Sequence, residues 1–165
     1  MAERLELISR SEADTVRIGR ALGETLRGGE VIELCGPLGS GKTRLAKGLA
    51  LGLGVADDEE VISPTFVLVR EYVGRLRFYH CDAYRLRSAA ELHALGVEEM
   101  LEGGGSVVAV EWADRFPLEL SGPRYRVALA HRSRNTRRIT IGAPDEQRAG
   151  ELRSRLAAPA PDPTG

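Results

Sequence analysis

Lysine is almost missing from this chain. Of its 23 basic residues only Lys42 and Lys47 are lysines; every other one is an arginine. An ammonium is a compact point charge and a guanidinium a planar fork, so the two are not interchangeable at a phosphate. A lysine kept at position 42, where a glycine-rich motif closes, marks a place that needs the point charge. Cysteine is scarce as well. Cys35 and Cys81 are the only two; they form no zinc-type spacing and read as thiols buried on strands rather than as a disulfide. No apolar run approaches the ~18 residues a membrane helix needs, and residues 1–6 lack the apolar core of a signal peptide. The expectation is a cytoplasmic protein without membrane contact. Net charge is also close to nil, −1, which excludes a general nucleic-acid coat and leaves room only for a local basic patch.

The chain's 165 residues are 42% hydrophobic and 28% charged, an ordinary globular composition. A domain near this size buries about two-thirds of its unfolded surface. One domain is expected over residues 1–156. A tail over 157–165, with Pro159, Pro161 and Pro163, has the composition of a disordered segment.

Alternation over residues 4–9 predicts a strand. Ser9 and Glu12 have the spacing of a capping box, opening a helix with Ile18, Leu22 and Leu26 on one face that stops at Gly28-Gly29. Residues 30–35 read as a short apolar strand. A glycine-rich loop follows, then a helix with Leu45, Leu49 and Leu53 in register and Gly54 at its end. Residues 57–60 are acidic and read as a solvated loop. Strands over 66–72 and 76–81 flank a turn at Val73-Gly74, as in a hairpin. Ser88 and Glu91 repeat the capping-box spacing ahead of Leu92 and Leu95. Residues 107–110 are apolar throughout, the pattern of a central parallel strand. Strands over 125–130 and 138–141 and a short helix over 145–156 complete the reading. The fold class expected is α/β: a single P-loop NTPase-like domain with a mostly parallel central sheet, antiparallel edge hairpins and helices on both faces.

The strongest motif is Gly36-Pro37-Leu38-Gly39-Ser40-Gly41-Lys42-Thr43, which fits G-x-x-x-x-G-K-T in the strand–loop–helix context the motif requires. Glycines let backbone N–H groups turn inward around phosphate oxygens, and the helix start adds its positive end. Leu38, Gly39, Ser40, Gly41, Lys42 and Thr43 are therefore the candidate nucleotide-binding residues. Lys42 would reach the β and γ phosphates of ATP, and the Thr43 hydroxyl would ligate Mg2+.

Such a site usually includes an acid at the end of a nearby apolar strand. Glu111, after four apolar residues, has the better pattern; Asp82, after a less apolar strand, is the second candidate. One would serve the metal and the other orient the attacking water. The pattern does not assign these roles, and the reading favours Glu111 for the metal and Asp82 for hydrolysis. Thr65, in Ser63-Pro64-Thr65-Phe66, is either a switch threonine sensing the γ-phosphate or a turn residue after proline. His80 shares a strand face with Asp82 and reads as a partly buried strand histidine. Trp112, the single tryptophan, is either core or close to nucleotide or partner.

Between Gly122 and Pro144 stand Arg124, Arg126, Arg132, Arg134, Arg137 and Arg138, with no acid before Asp145. This is a solvated hairpin or a contact surface for tRNA, an acidic partner or the nucleotide edge. Only Tyr125 interleaves it, which weakens a stacking role on single strands.

Taken together the motifs resemble the TsaE (YjeE) family of P-loop ATPases of bacterial tRNA threonylcarbamoyladenosine synthesis. The resemblance rests on Leu38-Gly39-Ser40-Gly41-Lys42-Thr43, Ser63-Pro64-Thr65-Phe66, Tyr79-His80-Cys81-Asp82-Ala83-Tyr84-Arg85-Leu86, the stretch 91–96, and Glu111-Trp112. It covers about residues 5 to 142. It implies a compact α/β fold, weak ATP hydrolysis, and work alongside TsaB and TsaD, the latter carrying out the threonylcarbamoyl transfer. The functional residues it carries over are Lys42, Thr43, Asp82, Glu111 and Trp112. Cys81, Ala83 and Ser40 stand where phenylalanine, leucine and alanine are common in the family; no charge or ligand is lost.

Three rivals remain at this level. A small-molecule kinase usually carries an arginine-bearing lid, and no lid insertion is visible. A regulatory GTPase usually carries Asn/Thr-Lys-x-Asp, which Lys42 and Lys47 do not supply. A nucleotide-gated interaction module with incidental hydrolysis is compatible with every motif.

Overall fold

Seven strands pair into one sheet: β1 (Arg4–Ser9), β2 (Val31–Cys35), β3 (Val69–Val73), β4 (Arg77–Asp82), β5 (Ser106–Glu111), β6 (Arg124–His131) and β7 (Arg137–Gly142). The computed structural model describes residues 3–56, 61, 68–115 and 118–158. The acidic stretch 57–60, the Ser63–Phe66 segment with Thr65, and residues 159–165 of the expected tail lie outside these. The spatial order is β1-β7-β6-β2-β5-β4-β3. The centre is parallel, β2 against both β5 and β6, and β5 against β4. The margins are antiparallel: β3 with β4 on one side, β6 with β7 and β7 with β1 on the other.

Burial explains this order. Every residue of β2 and of β5 is buried, as expected of strands covered on both faces. Among the described residues five helices do the covering: α1 (Glu12–Thr25), α2 (Lys42–Gly52), α3 (Ala89–Ala94), α4 (Val97–Leu101) and α5 (Glu146–Ala157). On one face Ile18, Leu22, Leu45, Leu49 and Leu152 pack on Ile32, Leu34, Ala109 and Val127. On the other Leu92, Val97 and Leu101 pack on Val31, Val108 and Val110. Both cysteines are buried and free. Burial pushes the Cys81 thiol up to about 12 and raises that of Cys35, so neither is a ready nucleophile.

One local expectation is corrected. The cap of α1 is not Ser9 with Glu12 but Ser11, whose Oγ accepts from the Asp14 N–H at 3.0 Å. Ser9 is the last residue of β1; its hydroxyl turns inward to the Ser11 carbonyl (2.9 Å) and Thr15 Oγ1 (2.6 Å). At the second spacing Ser88 Oγ accepts from the Glu91 N–H as expected, while the Glu91 carboxylate accepts from the N–H of Arg87, one residue before the cap, rather than from Ser88.

The helix of the glycine loop is fixed by an unusual seam. Gly19 and Gly23 of α1 face Gly48 and Gly52 of α2 with no side chain between. A Cβ at Gly48 would stand 2.2 Å from the Val16 carbonyl oxygen, and one at Gly19 2.3 Å from that of Leu45. Arg75, in the β3–β4 turn, ties the far ends of both helices, donating to the Leu26, Gly23 and Gly52 carbonyls at 2.8, 2.7 and 3.4 Å. Alanine is the better helix former by about 1 kcal/mol, but here its methyl would meet rigid backbone. Gly48→Ala is expected to lower unfolding free energy by about 1–3 kcal/mol in urea titration. Equal or greater stability in the variant would show that the seam can open freely.

Candidate nucleotide-binding site

The parallel strands all end at one edge of the sheet, where open α/β folds place ligands. Gly36 to Gly41 leave the end of β2 and turn into α2. Gly41 is the N-cap, at φ 105°, a left-handed conformation that glycine adopts without strain. Ser40 is buried and its hydroxyl has no hydrogen-bond partner among the described residues.

Lys42, the first residue of α2, folds back over the loop. Its Nζ donates to the Gly36 carbonyl at 2.5 Å and the Pro37 carbonyl at 3.1 Å, and sits 3.9 Å from the centroid of the Trp112 ring, within cation–π range. Burial pushes the ammonium below the usual lysine range, while Glu111, Asp114 and Asp82 pull it back up. Trp112 is half-buried, at φ 60°, a backbone conformation uncommon for a bulky residue. It packs on Tyr84 with ring centroids 5.0 Å apart. Arg115 donates to the Tyr84 carbonyl at 2.8 Å.

The two acids meet by register. Asp82, last in β4, is paired with Glu111, last in β5. Glu111 is the nearer to the loop, since β5 borders β2 and the Trp112 N–H donates to the Leu34 carbonyl at 3.0 Å. Both are almost wholly buried, at 2% and 3% exposure. Asp82 Oδ1 accepts from the Tyr84 N–H at 2.8 Å, and Glu111 Oε2 lies 2.9 Å from His80 Nε2. Two buried carboxylates side by side repel unless a cation accompanies them. Lys42, Thr43, Asp82, Glu111 and Trp112 line one cavity of about 490 Å³ with Leu38, Gly39, Gly41, Glu12, Arg44 and Tyr84.

A second cavity of about 610 Å³ shares Glu12, Gly39, Gly41 and Arg44 with the first and extends to Arg10, Ser11, Thr15, Ser40, Arg134, Asn135 and Arg137. Of these, Arg10, Ser11 and Asn135 are not visible as site residues in the sequence; they arrive through the β6–β7 turn and the start of α1. The hairpin arginines therefore do not form one patch. Arg134 and Arg137 border the glycine loop, whereas Arg124 and Arg126 lie on the sheet face and pair with buried Glu33 at 3.2 Å each. A third cavity, about 1070 Å³, lies on that face between Arg4, Glu33, Arg124, Arg126 and Thr140. Its arginines are already engaged, and it holds none of Lys42, Thr43, Asp82 or Glu111.

Among the described residues no group of three or more His, Cys, Asp or Glu side chains is arranged to hold a metal alone. Mg2+ does not need one: it is usually held by one or two carboxylates and the substrate's phosphates. Thr43 with the buried acid pair suits that donor set. No helix of the described residues is long and apolar enough to cross a membrane.

A glycine loop between a buried central strand and a helix, facing strand-end acids, defines the class: an α/β domain with a P-loop arrangement. The comparisons narrow it. The family model of the threonylcarbamoyl adenosine biosynthesis protein TsaE matches residues 9–139. A tRNA threonylcarbamoyladenosine biosynthesis protein TsaE from Treponema pallidum is 43% identical over 139 residues, 83% of this chain and 99% of that protein. Its namesake from Bacillus subtilis is 37% identical over 131 residues, 79% and 80% of the two chains. The crystal structure of Bacillus subtilis YdiB superposes with a TM-score of 0.75 at 29% identity, covering 94% of this chain and 96% of that one. The chain belongs to the TsaE family.

Proposed function

We propose that this protein binds ATP with Mg2+ in the cytoplasm and hydrolyses it slowly, in support of threonylcarbamoylation of tRNA adenosine by a TsaB–TsaD complex. The observation that carries the reading is the convergence of Lys42 and Thr43 with the buried Asp82–Glu111 pair in one cavity. The loop N–H groups and the start of α2 cradle the phosphates. Lys42 exchanges the Gly36 and Pro37 carbonyls for phosphate oxygens. Thr43 and Glu111 would hold Mg2+, which would supply positive charge against the phosphates. Asp82 orients the attacking water and accepts its proton. The cavity toward Arg10, Ser11, Arg134, Asn135 and Arg137 takes the nucleoside end. Leu38 and Tyr84, 85% and 49% exposed, flank the mouth as apolar contacts for a partner.

The test is steady-state ATP hydrolysis by the full chain, alone and with TsaB–TsaD. Slow turnover alone, raised by the complex, is expected. No stimulation by any TsaB–TsaD complex would sink the assignment.

A further inference from the structure

We propose that His80 is the positioning residue for Glu111: its buried ring sets the orientation in which the carboxylate meets a divalent cation. This rests on the reading of Glu111 as metal partner given above. His80 is wholly buried in β4, two residues before Asp82. Its ring lies near-parallel to that of Phe78, with centroids 6.0 Å apart and planes 8° apart. The ring plane is thus supported by packing. Nε2 is 2.9 Å from Glu111 Oε2, a close polar contact between the ring edge and one carboxylate oxygen. That contact does not meet hydrogen-bond geometry, and Nδ1 has no hydrogen-bond partner among the described residues.

That pattern is poor for stability alone. A buried polar ring without directed partners costs free energy that an apolar ring of similar size would not. Phenylalanine would stack on Phe78 equally well. What the imidazole supplies is a polar edge against one carboxylate oxygen, on the same sheet face as Asp82 and directly behind the acid pair. A group behind a metal-binding carboxylate fixes the torsion that side chain would otherwise sample, and such partners act strongly on metal affinity. His80 reaches Glu111 because β4 and β5 run parallel with Asp82 opposite Glu111 and His80 opposite Ala109.

The test uses the full chain with ADP and Mn2+ as a spectroscopic stand-in for Mg2+. The variants are His80→Phe, His80→Asn, His80→Gln, Glu111→Gln and the His80→Phe/Glu111→Gln double. Phe and Asn at 80 are expected to weaken Mn2+ in the ADP complex about tenfold or more, while metal-free ADP affinity stays near wild type. Gln, whose amide nitrogen reaches about as far as Nε2, is expected to retain binding within about threefold of wild type. The double variant is expected to be no weaker than Glu111→Gln alone. Wild-type Mn2+ affinity in His80→Phe or His80→Asn, beside a weakened Glu111→Gln, overturns the role of His80. So does a parallel loss of metal-free ADP binding, failure of Gln to restore affinity, or full additivity in the double. Should His80→Phe not fold, His80→Asn carries the same comparison. Wild-type affinity in Glu111→Gln overturns the metal reading of Glu111 itself and this inference with it.

Discussion

Replacing Lys42 with alanine is expected to weaken ATP binding about 100-fold, close to 3 kcal/mol, the upper range for hydrogen bonds to a charged group. The ammonium is held at the loop by the Gly36 and Pro37 carbonyls and the Trp112 face. These contacts aim it at the loop's concave side, where phosphate oxygens would be received. Stability should move little, because the group removed is one that burial already disfavours in its charged form. Arginine at 42 is not expected to restore binding: a planar fork cannot occupy the space of an ammonium between two carbonyls and an indole. The pH dependence follows from the same burial. Phosphates bind the charged form, so affinity should be full at neutral pH and fall as pH rises into the alkaline range, earlier than for an exposed lysine because burial lowers the ammonium's pKa. Titration of wild type and variants with a fluorescent ATP analogue measures all of this. An alanine variant that binds within about threefold of wild type would remove Lys42 from the site.

Asp82→Asn carries the second large effect, and a different signature. Asparagine keeps an oxygen for the Tyr84 N–H but loses the charge that, in the proposed mechanism, would orient water and accept its proton. Hydrolysis is expected to fall about 100-fold or more, the lower range for loss of a general base. ATP affinity should stay within about threefold, since Asp82 is two strands from the loop strand and Glu111 only one. Glu111→Gln should do the reverse, shifting the Mg2+ concentration needed for tight nucleotide binding. Single-turnover hydrolysis and Mg2+ titration separate the two. Full hydrolysis by Asp82→Asn would exchange or cancel the roles assigned here. Multi-turnover tRNA modification sustained by a hydrolysis-dead Asp82→Asn would favour a nucleotide-gated module instead.

What could be read from the sequence follows from how local each signal is. The strand ending at Cys35, the glycine loop and the helix from Lys42 are one continuous stretch, and the motif fixes their order. Val107 to Val110 announce a strand buried on both faces because no polar residue interrupts them. The cap of α1 is misplaced in the sequence reading because Ser9 precedes Glu12 by three residues, the same spacing that links Ser11 to Asp14. The choice falls to Ser11 once Ser9 is committed to β1 and bonded to Thr15, a contact that depends on how the strand enters the helix. The arginines of 124–138 look like one patch along the chain. Alternation along β6 and the turn at its end send them to different places, and Glu33, from a distant strand, claims two of them. His80 and Glu111 are separated by 31 positions, and only the parallel register of β4 and β5 brings them together. The seam glycines were visible as letters, but a glycine inside a helix reads as weakness until the facing helix is known.

That seam has a mechanical consequence. A layer of side chains between two helices can absorb a shift by changing rotamers, one at a time. Backbone against backbone has no rotamers to change. The helix that begins at Lys42 and the helix capped by Ser11 must therefore travel as one body, and both ends that line the two cavities along the loop belong to it. A push on the phosphate loop reaches the junction of β1 and α1 undiminished, so any bound phosphate has a rigid lever rather than a soft cushion behind it.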